Sequence, residues 1–294
     1  MQRRCSSTGV RSKCAQERNI VRLQLGFVFT VVLLTATSQI AAAQGTVVTW
    51  TVDGEKREAL VVAPVSTAAV KRPLVFAFHG HGGNMNGAAQ SMHIHVVWPQ
   101  AIVVYPQGLI HRPTPGDPQG NRPGWQVEAN QSAGNVGNKD LDFFDAMVAT
   151  MKQKYIIDDR RVYTTGFSNG GIFSYLLWAE RSKVIAAIGE VAGALWNSEH
   201  LTQARSLLAI GGEADTTDPF TVQEASVESA RQIDQATGNG QNCPVPAGAS
   251  GTKCTFYSSA IQTPVKTLFH PGAHIYPTWA PDEIVKFFKN HTQP

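Results

Sequence analysis

The chain has 294 residues, 43% of them hydrophobic and 16% charged, and a formal net charge of +3. That charge belongs to its start. Residues 1–43 hold six of the 25 Lys and Arg but one of the 22 Asp and Glu, which leaves 19 basic against 21 acidic residues, about −2, and excludes a basic footprint for nucleic acid.

Arg3, Arg4, Arg11, Lys13, Arg18 and Arg22 precede an apolar run from Leu25 to Leu34, and Ala41-Ala42-Ala43-Gln44 follows. A basic stretch, a short apolar run and small residues at the cut make residues 1–43 a secretory signal peptide, cleaved after Ala43. The run is too short, and its surroundings too rich in Thr, Ser and Gln, to span a bilayer, so no membrane span is expected to remain. Residues 44–294 carry no linker, repeat or low-complexity tract and are expected to form one domain.

Thr46–Val52 and Ala59–Ala63 read as a β-hairpin around Asp53-Gly54. Leu74–Phe78 and Ala101–Tyr105 are unbroken apolar strands, as in a parallel sheet covered on both faces. Residues 106–138 form a long Pro/Gly/Asn-rich insertion containing Trp125, and loops of such length tend to carry function. An aromatic there is expected to stack on a sugar ring or a phenolic acyl group, or else to pack the loop onto the core. From Asp140 to Tyr155, Leu141, Phe144, Met147, Val148 and Met151 recur at helical steps.

Arg161–Thr165 reads as a buried strand and Gly171–Ala179 as a helix. Between them stands Gly166-Phe167-Ser168-Asn169-Gly170, a G-x-S-x-G pentapeptide in the strand–turn–helix setting of a nucleophile elbow. Val184–Ile188, Leu207–Ile210 and Val265–Phe269 are further strands, and Pro281 opens a closing helix. An antiparallel start followed by alternating strands and helices is the α/β-hydrolase layout: a mostly parallel central sheet with helices on both faces.

A serine hydroxyl needs a base to take its proton and a group to orient that base. In this fold the order along the chain is Ser, then Asp or Glu, then His, each in a loop after a strand. After Leu207–Ile210, Glu213, Asp215 and Asp218 compete for the acid. Asp215 is preferred for its depth in the loop, while Asp218, before a proline, is read as shaping the turn. After the last strand, His270 and His274 compete for the base, and His274 is preferred because Pro271-Gly272 frees its loop to swing over Ser168. His79-Gly80-His81-Gly82-Gly83 follows the strand Leu74–Phe78 and reads as an oxyanion loop. The expected donors are the backbone N–H groups of His81 and Asn169, with Gly82 as the fallback. No metal or other cofactor is expected, since His79, His81, His93 and His95 lack a carboxylate or Cys at ligand spacing. Cys243 and Cys254, the pair left after signal cleavage, are expected to form a disulfide in an exported protein.

With these segments placed, the chain resembles the polyhydroxybutyrate-depolymerase-like esterases, a group related to the feruloyl and acetyl xylan esterases of carbohydrate esterase family 1. The stretches that carry the resemblance are His79–Gly83, Val104–Gly108, Gly124-Trp125-Gln126, Asp140 through Gly171, Ala214-Asp215 with Pro219, and Gly272-Ala273-His274 with Pro277. The resemblance implies a Ser168–His274–Asp215 triad and a secreted, extracellular or periplasmic serine esterase. Its substrate would be a carboxylic ester, with polysaccharide-linked feruloyl or acetyl groups ahead of hydroxyalkanoate oligomers, and a serine peptidase of related fold behind both. Two departures stand out: Gly211-Gly212 opens the acid loop where the group has His-Gly, and Asp218 stands where it has valine. The linker and binding domain usual in secreted polymer depolymerases do not follow Pro294, so soluble esters are expected to be preferred to solid polyester.

Overall fold

The computed structural model describes residues 45–65, 69–110, 117–132, 135–196 and 201–293; the expected signal peptide lies outside them. The frame is a ten-stranded sheet. Its strands in chain order are β1 (Thr46–Val52), β2 (Glu55–Val62), β3 (Arg72–Phe78), β4 (Ile102–Pro106), β5 (Ile157–Phe167), β6 (Ala187–Val191), β7 (Ser206–Gly212), β8 (Gln241–Asn242), β9 (Lys253–Tyr257) and β10 (Val265–His270). The spatial order is β1-β2-β4-β3-β5-β6-β7-β10-β9-β8. Pairing is parallel from β4 through β3, β5, β6 and β7 to β10, and antiparallel at both margins.

The hairpin turns at Asp53 and Gly54, both at positive φ, with Val52 opposite Glu55. Two left-handed residues match the twist of the flanking strands, which is why Asp-Gly serves there. In the centre every residue from Leu74 to Phe78 is fully buried. Strand alternation sends Leu74, Phe76 and Phe78 into one core and Val75 and Ala77 into the other.

Six helices cover the two faces among the described residues: α1 (Met85–Met92), α2 (Ile94–Val97), α3 (Lys139–Lys154), α4 (Asn169–Arg181), α5 (Phe220–Ile233) and α6 (Ala280–Asn290). Phe144 and Met147 of α3, Phe173 and Leu176 of α4, and Val227 and Ala230 of α5 fill the first core. Ala88 and Met92 of α1, Ile94 of α2, and Ile284 and Phe288 of α6 fill the second. Each fully buried Phe or Leu contributes about 2–3 kcal/mol by leaving water. The first core also contains an ion pair, Arg57 to Asp140 at 2.7 Å, with both side chains almost fully buried. Asp140 in turn accepts from Gln126 N at 2.8 Å, while Gln126 Oε1 accepts from Asp140 N and Leu141 N. The start of α3 is thereby fixed to the loop before it.

Elements differ from expectation at their bounds. Residues 184–186 precede β6, which begins at Ala187. Helix α4 opens at Asn169, two residues before the first expected helical position. The Cys243–Cys254 disulfide is formed and staples the hairpin β8–β9, where Cys243 N also donates to Cys254 O at 3.0 Å. Closing a loop of sequence separation 11 removes unfolded-state entropy worth about 2–3 kcal/mol. Replacing both cysteines with serine should lower unfolding stability by about that amount, read as a shifted urea midpoint. A midpoint unchanged within error would show that the staple constrains nothing.

Candidate active site

Ser168 sits between β5 and α4 at φ 55°, ψ −123°, a left-handed backbone that costs a serine about 1–3 kcal/mol. The surroundings enforce it. Ser168 N donates to Val191 O at 2.8 Å, and Ser168 O accepts from Ile172 N at 3.0 Å. The flanking glycines are required by close approach. A Cβ on Gly166 would stand 2.2 Å from Gly170 O, and one on Gly170 would stand 2.3 Å from Phe78 O. The serine is thus held at the positive end of α4, where backbone N–H groups lack helical partners.

Asp215 lies in the loop after β7 and is 4% exposed. Its Oδ1 accepts from Thr217 N at 2.9 Å and Asp218 N at 3.1 Å. Its Oδ2 accepts from Gln223 Nε2 at 3.0 Å and pairs with His274 Nδ1 at 2.7 Å. Of the three acids that compete in the sequence, Asp215 is the one bound to His274. Glu213 points elsewhere and pairs with Lys253 at 2.6 Å. Gln223, on the first turn of α5, also donates to Asp218 O at 2.7 Å and braces the whole acid loop. Sequence reasoning does not find it, because a lone glutamine in a helix carries no signal.

The two histidines separate equally clearly. His274 reaches Asp215 and lies 5.0 Å from the ring of Phe167, the residue before Ser168. His270 is buried, with Nδ1 accepting from Gly272 N at 3.1 Å, and burial pushes its pKa down. It shapes the turn that carries His274.

Asp218 lies in the acid loop, its N–H donating to Asp215 Oδ1 at 3.1 Å, and its carboxylate stands in the field of His274 and Asp215. Burial raises its pKa, and His274 opposes that rise.

The loop from His79 to Gly83 runs past the elbow, with Gly80 packed against Phe167 and Ser168. His79 Nδ1 lies 2.8 Å from Gly80 O and Nε2 accepts from Gly108 N at 3.0 Å, so its ring ties this loop to the one after β4. Gly82, the fallback donor, commits its N–H to Pro123 O at 2.7 Å and does not face the serine as a free donor. The His81 side chain lies 3.4 Å from Asp117. His93 and His95 turn to Ser91 O and the Tyr105 hydroxyl.

Trp125 corrects an expectation. It offers no surface for a sugar or phenolic ring, because it is 1% exposed. Its ring stacks on Phe173 at 5.4 Å and meets Phe78 edge-on at 5.1 Å. The indole N–H donates to His79 O at 2.9 Å. Its backbone N donates to Asn169 Oδ1 at 2.7 Å, and its carbonyl accepts from Asn169 Nδ2 at 3.0 Å. One buried tryptophan therefore joins the His79–Gly83 loop to the elbow. Beside that loop opens a cleft of about 320 Å³, walled by Ala88, Met92, Phe167 and Tyr276.

An elbow serine, a carboxylate-held imidazole and a glycine-rich loop, gathered at one end of a mostly parallel sheet, define an esterase of the α/β-hydrolase fold. The chain belongs to the esterase PHB depolymerase family, which it matches over residues 57–237. Among its relatives is a probable feruloyl esterase C of Aspergillus clavatus, 27% identical over 224 residues, covering 73% of this chain and 76% of that protein. A bifunctional acetylxylan esterase/xylanase of Neocallimastix patriciarum is 30% identical over 142 residues, 48% of this chain and 18% of that longer protein. In fold the chain is similar to an acetyl xylan esterase from Aspergillus awamori, with a TM-score of 0.62 at 14% identity, covering 83% of this chain and 99% of the other.

Proposed function

We propose that this chain is a secreted serine esterase that removes acetyl or feruloyl groups linked to carbohydrate. The observation that carries the serine mechanism is the 2.7 Å bond between His274 Nδ1 and Asp215 Oδ2, set beside the elbow of Ser168. The substrate class is supported by the names of the relatives, feruloyl esterase C and acetylxylan esterase. Export is supported by the basic-then-apolar start of the sequence and by a disulfide suited to an oxidising compartment. Among the described residues no helix is long and apolar enough to cross a membrane.

In this reading Ser168 Oγ attacks the ester carbonyl as His274 Nε2 takes its proton. Asp215 fixes the tautomer by accepting Nδ1–H and stabilises the imidazolium that forms. The backbone N–H groups of Asn169 and His81 receive the negative charge that develops on the carbonyl oxygen, each donor being worth about 3–4 kcal/mol. His274 then protonates the departing alcohol, and water enters by the reverse path. The chain's own groups and water complete the cycle. The cleft walled by Met92, Phe167 and Tyr276 receives the acyl group.

The test is kcat/KM on acetylated and feruloylated sugars against 3-hydroxybutyrate oligomers. A preference for one of the sugar esters is expected. Efficient clearing of a polyester film, with no activity on sugar esters, would reverse the ranking in favour of a hydroxyalkanoate depolymerase, the activity in the family's description.

A further inference from the structure

Strand β6 sets one acid among small and apolar residues, Ala187-Ile188-Gly189-Glu190-Val191. Glu190 is 1% exposed, and a carboxyl so deeply buried is costly unless it holds a partner. Alternation fixes its direction. Ile188 belongs to the first core and Val191 to the second, so Glu190 faces the first, the side covered by α4. Its neighbours in register, Gly166 of β5 and Ala209 of β7, are small and leave it room. Burial pushes its pKa up and favours the neutral acid, and the titratable groups that face it are Tyr175 of α4 and Asp218 of the acid loop.

The partner it holds is backbone. Glu190 Oε2 accepts from Gly193 N at 2.8 Å. Gly193 follows Ala192, which stands at φ 49° and donates its N–H to Ile210 O at 2.8 Å. This strained turn packs directly on the start of α4. A Cβ on Gly193 would stand 2.8 Å from Gly171 Cα and 2.9 Å from Ile172 N. Val191, just before the turn, accepts from Ser168 N at 2.8 Å. The elbow therefore rests on the turn that Glu190 holds.

We propose that Glu190 is a positioning residue: by holding Gly193 it sets the first turn of α4, and with it the Asn169 N–H that receives the developing negative charge. This rests on the serine-esterase reading, in which that N–H is an oxyanion donor. Asn169 lies two residues before Gly171 in the same turn. With no acceptor at position 190, the Gly193 N–H must turn toward another partner, and Gly171, at contact distance, moves with it. A misplacement of about 1 Å can slow a reaction ~100-fold. Glu190 is too deeply buried to touch substrate, so the loss falls on kcat.

The experiment measures kcat and KM on a neutral acetyl ester for the wild type, Glu190→Gln, Glu190→Leu and Glu190→Asp. Gln keeps the length and an oxygen that can accept from Gly193, and should retain kcat within about threefold. Leu removes the acceptor and Asp draws it back by one methylene; each should lower kcat about 10- to 100-fold, with KM within about twofold of wild type. Fluorophosphonate labelling of Ser168 should slow in parallel, since it places charge on an oxygen at the same donors. Circular dichroism and the urea midpoint report the fold, and if the Leu variant does not fold, the Asp variant carries the comparison. A Gln variant as impaired as the other two, a kcat kept by Leu and Asp alike, or a loss carried by KM overturns the proposal. Acetyl-ester hydrolysis by the wild type and its dependence on Ser168 are measured alongside, and their absence would strike the serine-esterase reading instead.

Discussion

Replacing Ser168 with alanine should lower kcat on acetyl and feruloyl esters by about 10⁴- to 10⁶-fold while leaving the fold intact. The size follows from the role. Without Oγ there is no acyl-enzyme, and what remains is binding plus the oxyanion donors, which retain a modest rate over water. The fold should tolerate the change, because the hydroxyl makes no contact on which the sheet depends. The elbow is held instead by Ser168 N to Val191 O, by Ser168 O to Ile172 N, and by the tight packing of Gly166 and Gly170. Alanine meets the same left-handed backbone as serine, so the strain is unchanged. Circular dichroism and the urea midpoint report the fold, and steady-state assays report the rate. A variant that folds and keeps more than about a hundredth of wild-type turnover would remove Ser168 from the chemistry.

Asp215→Asn should cost on the order of 10⁴-fold in kcat, again with the fold preserved. An amide can present its N–H to His274 Nδ1 and favour the tautomer whose Nε2 already bears a proton. That imidazole cannot act as a base toward Ser168. The loop keeps much of its support, since Thr217 N and Asp218 N can still donate to an amide oxygen at the Oδ1 position. The comparison that decides the acid is Asp215→Asn against Asp218→Asn on a neutral acetyl ester. Near-normal turnover in Asp215→Asn beside a crippled Asp218→Asn would exchange the two assignments.

What the sequence shows and what it hides follow from the physics of each element. The elbow is legible because its geometry dictates residue type: only glycine fits where a Cβ would lie 2.2–2.3 Å from a carbonyl oxygen. The central strands are legible because burial on both faces demands unbroken apolar runs such as Leu74–Phe78. Helix α5 is hidden because its buried face is Gln223, Ser226, Val227 and Ala230, which has no apolar period to find. Helix α1 is hidden for a related reason, since Met85–Met92 is rich in Gly, Ala and Ser. Trp125 misleads because an aromatic in a Pro/Gly-rich loop has the same local sequence whether it faces solvent or the core. Phe78, Phe173 and His79, distant along the chain, decide that it turns inward. The choice between Asp215 and Asp218 is likewise tertiary. They stand three positions apart, and only the path of the loop sends the carboxylate of Asp215 to His274.

The central claim, that Ser168 is the group acylated in turnover, is tested most directly by covalent trapping. The protein is treated with a fluorophosphonate, digested, and its modified peptide sequenced by mass spectrometry. One adduct is expected, on Ser168, and it should be absent from Ser168→Ala treated in the same way. An adduct on another residue, or equal labelling of the wild type and Ser168→Ala, would contradict the account.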